Sequence, residues 1–139
     1  MNSLVAKEEL EKNHIETTII DLNEETCSLE KIDALYLSGG EPKYLMDAIY
    51  NANLFKKIEN FINQGGIVIG QSAGAMIFNR EYLDTTSEKL LVQHNGFSYA
   101  DKMIVPHYDH LPKEIIEQIP EDVIKIKDND KLIQLKLTK

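Results

Sequence analysis

The stretch Ile67-Val68-Ile69-Gly70-Gln71-Ser72-Ala73-Gly74-Ala75 decides the fold. Its three apolar β-branched residues predict a short strand that is covered on both faces, as a central strand of a parallel sheet is. A Gly-x-Ser-x-Gly turn follows, and 73–80 is predicted to be a helix. Glycine at 70 and 74 permits a turn so sharp that the Ser72 hydroxyl is exposed at the carboxyl end of the sheet. Ser72 is therefore a candidate nucleophile; the alternative is a serine that only caps the helix.

The segments on either side alternate between helical and strand patterns. Upstream, the sequence predicts a helix over 3–13, strands over 17–22 and 32–37, and a helical stripe over 44–62, broken near 51–53 and ended by Gly65-Gly66. Downstream, it predicts irregular strands and turns over 88–105, a short helix over 111–119, and strands over 123–126 and 132–137. Helix alternating with strand predicts an α/β fold with a mostly parallel central sheet between helices.

The composition is that of one ordinary globular domain. The 139 residues are 42% hydrophobic and 27% charged, and no repeat or linker divides them, so we expect a single domain over 1–139. The apolar runs are far shorter than the roughly 20 residues of a membrane span, and the start lacks the apolar core of a signal peptide. The one cysteine, Cys27, cannot form an internal disulfide, which favours a reducing cytoplasm.

The charge balance excludes two classes of partner. With 23 acidic and 15 basic side chains the net charge is −8, and such a surface repels phosphate backbones and anionic lipids. We therefore expect neither nucleic acid nor a membrane surface as a partner. We also expect no cofactor and no metal.

A nucleophilic serine needs a base, and a base needs an acid that orients it. Of the four histidines, His107 follows a short apolar strand at 103–106 that delivers it to the edge of the sheet; His110 is the next choice. His14 and His94 are expected to be surface residues. Downstream, Asp128 and Asp130 follow the strand over 123–126, and either could be the acid, or both could simply form a turn.

Two backbone amides are candidates for stabilising negative charge on a substrate oxygen. One belongs to Gly40, because the predicted strand before it ends in Gly39-Gly40 and so lets a substrate approach the backbone closely. The other belongs to Ala73, at the amino end of the helix that follows the serine.

Taken together, these motifs resemble a known family. Leu37-Ser38-Gly39-Gly40, the Gly-Gly-x-x-x-Gly-x-Ser-Ala-Gly-Ala pattern over 65–75 and Pro-His-Tyr-Asp over 106–109 look like the peptidase E (aspartyl dipeptidase) family of serine peptidases, which includes cyanophycinases. The resemblance covers roughly 17–137. It implies the class I glutamine amidotransferase-like fold, a flavodoxin-like three-layer sandwich, with serine where amidotransferases carry cysteine. By motif, Ser72 matches the nucleophile, His107 the base and Asp128 the third member of the triad.

The chain departs from this family in two places. Where the family usually has Gly-Gly-Asn-Thr, this chain has Gly39-Gly40-Glu41-Pro42, and an acid at 41 would repel an acidic substrate and argues against aspartyl specificity. The usual family chain also begins with a further strand and helix. We therefore expect a sheet without its N-terminal strand, whose bare edge a second copy could cover in a homodimer.

The resemblance implies a serine-type peptidase that acts on small peptides, as a dipeptidase or an amidase. An inactive, truncated remnant that serves as an oligomeric binding module is the alternative. An esterase is less favoured, because it would need its acid before the histidine, at Asp84 or Asp101. Arg80, the only arginine, lies eight residues after Ser72, about 12 Å along a helix, so we expect a structural or surface residue rather than one that holds an acidic substrate side chain.

Overall fold

The computed structural model describes residues 3–23, 27–84, 90–130 and 134. Within these ranges the helices are α1 (Ser3–Lys12), α2 (Pro42–Asn51), α3 (Phe55–Asn63), α4 (Ala73–Met76) and α5 (Lys113–Ile116), with one 3-10 turn at Tyr108–His110. The strands are β1 (Ala34–Leu37), β2 (Ile67–Gly70), β3 (Tyr82–Asp84), β4 (Leu91–Gln93), β5 (Ile104–Val105) and β6 (Ile124–Lys125).

Parallel pairing dominates the described strands. β1 pairs with β2 in parallel, with Ala34 opposite Ile67 and Leu37 opposite Gly70. β5 pairs with β6 in parallel, whereas β3 and β4 form an antiparallel pair. Parallel neighbours need a long crossover, and α2 and α3 supply the one between β1 and β2. The α/β fold with parallel strands that the sequence predicts is confirmed.

The helical stripe over 44–62 divides where the sequence predicts. α2 ends at Asn51, Asn53 has a positive φ of 54°, and α3 begins at Phe55. At the end of α3 the Gly66 amide donates to the Phe61 carbonyl at 2.9 Å and the Gly65 amide to the Ile62 carbonyl at 3.0 Å. Gly65 has a φ of 93°, which glycine adopts without strain. This pair of bonds ends α3 and directs the chain into β2.

One large cluster of buried side chains forms the main core, and it extends from Cys27 to Ile119. Its centre includes Met46 and Ile49 of α2 and Ile58 of α3, all at most 1% exposed. Four aromatic rings continue it as a stack, with centroids 4.4 to 6.0 Å apart: Tyr50, Phe55, Phe97 and Tyr99. Because α2 is anchored in this core, the loop between β1 and α2 is held in place.

The predicted strand over 17–22 is wrong. This segment has no regular structure and pairs with no described strand. Ile20 and Leu22 nevertheless pack against the main core. High β-propensity needs a neighbouring strand to pair with, and no described part of the chain supplies one.

The helix after Ser72 is shorter than predicted, because it ends at Met76 rather than at residue 80. Beyond it the backbone carbonyls bond to the 96–100 loop instead of continuing a helix: Ile77 accepts from Phe97 at 2.7 Å and Phe78 from Tyr99 at 2.9 Å. Similarly, only 113–116 of the predicted helix over 111–119 forms α5. After α4, bonds with a segment distant in sequence replace those of a longer helix, whereas beyond α5 the chain continues in local turns.

β2 is not covered on both faces, so that prediction is wrong for the described residues. No residue of β2 is fully buried, and Ile67 is 60% exposed. A cavity of about 700 Å³ separates β2 from Ile104, Ile124 and Ile126 on β5, on β6 and just beyond it. The predicted strand over 123–126 is present as β6, while the one over 132–137 lies outside the described residues except for Gln134. No described helix has the length and apolar character needed to cross a bilayer.

Candidate active site

Ser72 lies on a strained turn between β2 and α4. Its φ is 51° and its ψ −113°, a backbone conformation that a residue with a side chain rarely adopts. The Gly74 amide donates to the Gln71 carbonyl at 2.9 Å, and the Ala75 amide donates to the Ser72 carbonyl at 2.9 Å, which closes the turn. Strain of this kind costs of order 1–3 kcal/mol and concentrates at functional sites. The turn therefore has the sharp form that the Gly-x-Ser-x-Gly pattern predicts.

The two glycines of the pattern are needed because backbone lies against them. A Cβ at Gly70 would lie 2.3 Å from the Gly74 carbonyl oxygen, and a Cβ at Gly74 would lie 2.2 Å from the Leu37 carbonyl oxygen. Both oxygens belong to the backbone, so neither can move aside as the end of a flexible side chain could. The turn thus packs directly on the end of β1, and side chains at 70 and 74 are excluded, as the sequence predicts.

We expect Gly74→Ala to destabilise the protein by about 2 kcal/mol or more, because the new methyl group would overlap the Leu37 carbonyl. Gly39→Ala is the matched control: a Cβ at Gly39 would meet the Ser72 Cβ at 3.4 Å, close to ordinary contact. Urea denaturation of both variants measures the difference. Equal midpoints for the two variants would contradict the close approach of the Gly74 backbone to the Leu37 carbonyl.

His107 contacts Ser72 directly. The His107 Nε2 and the Ser72 Oγ are 3.0 Å apart. β5 delivers the histidine to this position, since Val105 is buried and only Pro106 separates it from His107, whose φ is 54°. The structure thus brings together the serine and the histidine that the sequence singles out.

Asp128 contacts the other nitrogen of the same ring, with Asp128 Oδ1 2.5 Å from His107 Nδ1. The register of β5 and β6 explains this, because Val105 lies opposite Lys125 and the Ile126 amide donates to the Val105 carbonyl at 3.0 Å. The residues just after the two strands therefore lie side by side. Ser72, His107 and Asp128 form one continuous chain of contacts.

The turn after β6 gives Asp128 and Asp130 different contacts. Asp130 Oδ2 accepts the Lys127 amide at 2.7 Å, and the Asp130 amide donates to the Lys127 carbonyl at 3.0 Å. The Asp130 carboxylate is therefore used to close the turn. This turn presents the Asp128 side chain to His107.

Two further residues hold Asp128, and the sequence analysis did not assign them this role. His110 Nε2 lies 3.2 Å from Asp128 Oδ2, and the Asp128 amide donates to Asp109 Oδ1 at 3.3 Å. His110 was the second choice for the base, but in the structure it contacts Asp128. Its spacing of three residues from His107, around a 3-10 turn, is the signal that could have indicated this.

Asp109, His110 and Asp128 also offer atoms that could bind a metal ion, all within 4.8 Å of one another. All three side chains are exposed, and His110 Nε2 is also 3.6 Å from Asp109 Oδ2. Ordinary contacts between an imidazole and two carboxylates account for this cluster without an ion.

The two candidate amides lie next to the serine. Gly39 precedes Gly40, and a Cβ at Gly39 would be 4.0 Å from Ser72 Oγ, so the loop after β1 lies against the serine. Gly40 has a φ of 142°, a conformation that favours glycine. Among the described residues, the Gly40 and Ala73 amides donate to no backbone carbonyl.

A tyrosine on β1 supports the residue before the serine. The Tyr36 hydroxyl donates to Gln71 Oε1 at 2.8 Å, and burial raises the pKa of Tyr36 above its ordinary value. The phenol therefore stays protonated and continues to donate at neutral pH. Tyr36 is the one polar side chain in an otherwise apolar strand, a signal that sequence analysis could have used.

The remaining candidates lie away from this constellation. His94 pairs with Glu81 at 3.2 Å on the surface, and the His14 amide donates to the Glu11 carbonyl just after α1. Arg80 is exposed and lies 3.5 Å from the His94 carbonyl, so it lines no part of the site that is described. The sequence analysis placed both histidines on the surface and expected Arg80 to be a structural or surface residue.

The chain is similar to known peptidases. Residues 2–136 match the model of peptidase family S51. An uncharacterized peptidase of Listeria monocytogenes is 31% identical over 105 residues, which cover 70% of this chain and 51% of the relative. An uncharacterized peptidase of Pasteurella multocida is 28% identical over 106 residues, 72% of this chain and 51% of the relative. The chain spans about half the length of these relatives.

A solved structure supports the same relationship. The 1.5 Å crystal structure of a candidate peptidase E protein from Listeria monocytogenes matches with a TM-score of 0.77 and 25% identity, over 98% of this chain and 77% of that one. The resemblance to peptidase E and the α/β fold expected from the sequence are both confirmed.

Proposed function

Because this chain belongs to peptidase family S51, we propose that it is a serine-type peptidase that hydrolyses small peptides, as a dipeptidase or an amidase. The observation that carries the proposal is the continuous contact from Asp128 through His107 to Ser72, with the serine held on a strained turn. This geometry is that of a nucleophile activated by an adjacent base, which a third group orients.

In the proposed reaction Ser72 Oγ attacks the carbonyl carbon of the scissile bond while His107 Nε2 takes the hydroxyl proton. The tetrahedral intermediate collapses, the C–N bond breaks, and His107 returns the proton to the leaving amine. A water molecule then attacks the acyl-serine ester, again losing a proton to His107. Breakdown of the second intermediate releases the carboxylic acid and restores the Ser72 hydroxyl.

Asp128 acts on this reaction through His107. Its carboxylate accepts the Nδ1 proton, which leaves Nε2 as the basic nitrogen facing Ser72. The same carboxylate stabilises the imidazolium that forms when the serine proton is taken. His110 and Asp109 hold Asp128 in place and are positioning residues in this scheme.

The negative charge that develops on the carbonyl oxygen needs fixed donors. The Gly40 and Ala73 amides are the proposed pair, because Gly40 lines the same cavity as Ser72, Ala73 follows Ser72 directly, and neither amide donates to a backbone carbonyl among the described residues. Loss of one such donor in other enzymes costs about 10²- to 10³-fold in rate.

The geometry also bears on the alternatives. An esterase of the α/β-hydrolase type needs its acid before the histidine, yet Asp84 is buried and accepts the Gln93 side-chain amide at 2.9 Å. Asp101 is exposed.

The direct contact between Ser72 and His107 favours an enzyme over an inactive remnant, because a remnant has no need to preserve it.

Hydrolysis of a panel of dipeptides by the purified chain tests the proposal. We expect release of free amino acids that a serine-directed fluorophosphonate abolishes and that EDTA leaves unchanged, because the proposed reaction uses no metal. Activity lost with EDTA but not with the phosphonate would indicate a metal-dependent reaction at Asp109, His110 and Asp128. A folded chain that cleaves no peptide would favour the binding module.

Location and assembly are part of the same proposal. We place the protein in the cytoplasm, because its single cysteine cannot form an internal disulfide. We also propose a homodimer, because among the described strands β1 pairs on one side only, with β2. Sedimentation velocity over a range of concentrations tests the dimer.

A further inference from the structure

A small apolar pocket opens beside Ser72. It is a cavity of about 210 Å³ whose polar rim consists of Gly40, Ser72 and His107. The rest of its described lining is apolar and comes from four different segments of the chain: Pro42, Met76, Leu83, Val105, Pro106 and Leu111. The pocket therefore lies beneath the groups that the proposed reaction uses.

This pocket, rather than the larger cavity along β2, is placed to hold part of a substrate. Both cavities reach Ser72, but only the smaller one has Gly40 and His107 among its described lining residues. A carbonyl attacked by Ser72 must lie within reach of the base and of the amide donors at the same time. Atoms attached to that carbonyl are therefore next to the smaller pocket.

The lining of the pocket is unsuited to a charged side chain. Pro42, Met76, Leu83 and Val105 are each at most 4% exposed, and no Lys or Arg belongs to the described lining. A carboxylate moved from water into such surroundings without a cation is strongly disfavoured. Glu41 and Asp84, which follow Gly40 and Leu83 in the sequence, add further negative charge to the neighbouring segments.

The size of the pocket matches one amino-acid side chain. An apolar protein cavity of about 150 Å³ admits benzene, so 210 Å³ is enough for a branched aliphatic group but not for a further residue. Ligand sites for larger molecules span about 300–1,000 Å³. One medium-sized apolar group fits the volume.

We propose that this pocket receives the side chain of the residue whose carbonyl Ser72 attacks, and that it selects neutral aliphatic residues of leucine size over aspartate. The inference rests on the proposed function and extends it to a substrate class. Transfer of the side chain from water to the apolar lining supplies the selectivity, since each methylene buried in such a pocket changes kcat/KM by roughly 10- to 200-fold at best.

Two series of dipeptides test the assignment. In X-Gly peptides, with X as alanine, valine, leucine or aspartate, we expect kcat/KM to rise at least about tenfold from alanine to leucine and aspartate to fall below alanine. In the reversed Ala-X series we expect little dependence on X. An aspartate peptide cleaved as fast as the leucine peptide, or a gain that follows X only in the second position, would overturn the inference.

Variants of Leu111 test the pocket itself. Leu111 is half-buried at the edge of the pocket, so Leu111→Phe narrows it and is expected to lower the Leu-Gly to Ala-Gly ratio of kcat/KM about tenfold. Leu91→Phe, an equivalent change at an exposed position on β4, should leave the ratio unchanged. Leu111→Arg, which adds a cation, should raise the Asp-Gly to Leu-Gly ratio. A ratio that neither Leu111 variant alters contradicts the assignment.

The outcomes separate this inference from the function on which it rests. If no peptide in either series is cleaved and no fluorophosphonate adduct forms, the proposed peptidase activity fails and the inference fails with it. If peptides are cleaved in a phosphonate-sensitive way but without preference at X, the peptidase activity stands and only the pocket assignment is wrong.

Discussion

Ser72→Ala and His107→Ala should each lower kcat/KM for a cleaved dipeptide by about 10⁴-fold or more, because the serine attacks efficiently only when the histidine takes its proton. The two side chains are 3.0 Å apart and act as one unit, so the double variant should be hardly slower than either single variant. Steady-state assays with the single and double variants, at substrate concentrations well below KM, measure these ratios directly.

Ser98→Ala and His94→Ala are the matched controls, since both residues are exposed and lie outside the described constellation. Each should keep kcat/KM within about twofold, as surface substitutions usually do. Losses from Ser72→Ala and His107→Ala that multiply in the double variant would mean that the two residues act independently, and the shared mechanism would then be wrong.

Asp128→Asn is expected to have the next largest effect, a loss of about 10³- to 10⁴-fold in kcat with the fold intact. An asparagine side chain can present its NH₂ group to His107 Nδ1, which would put the ring proton on Nε2, the nitrogen that must accept the serine proton. Because Asp128 Oδ1 lies 2.5 Å from His107 Nδ1, the substituted side chain would contact this ring nitrogen and change the tautomer. Thermal unfolding curves should show that the variant remains folded.

Asp130→Asn is the control for this substitution. Asp130 closes the turn over 127–130 through the Lys127 amide, a bond that an asparagine oxygen can also accept. We expect its kcat to stay within a few-fold of that of the unchanged protein, because the turn is retained and such substitutions have small effects. A large loss from Asp130→Asn together with a small loss from Asp128→Asn would reverse the assignment of the acid.

The constellation around Ser72 was largely predictable from the sequence because it depends on local patterns. The two glycines of the turn indicate a close approach of backbone, and the structure shows backbone oxygens where their side chains would be. His107 and the acid could be proposed because each follows an apolar strand, and parallel strands end at the same edge. The choice between Asp128 and Asp130 required the turn geometry, which depends on where single hydrogen bonds form.

The errors at 17–22 and after Ser72 have a common physical origin, since each of these two segments depends on partners that are distant in sequence. The segment over 17–22 has the composition of a strand, but the described residues provide no strand beside it. The helix after Ser72 stops at Met76 because the Ile77 and Phe78 carbonyls bond to the 96–100 loop. The contact of His110 with Asp128 likewise joins residues that are distant in sequence, although the spacing of His110 from His107 was a signal for it.

The most direct test of the account is to locate the adduct that a fluorophosphonate forms with the folded chain, by mass spectrometry of its peptides. The account predicts one adduct, on the Ser72 hydroxyl, that His107→Ala greatly slows because the base is gone. An adduct on a different residue, or no adduct on a protein shown to be folded, would contradict the claim that Ser72 is the nucleophile.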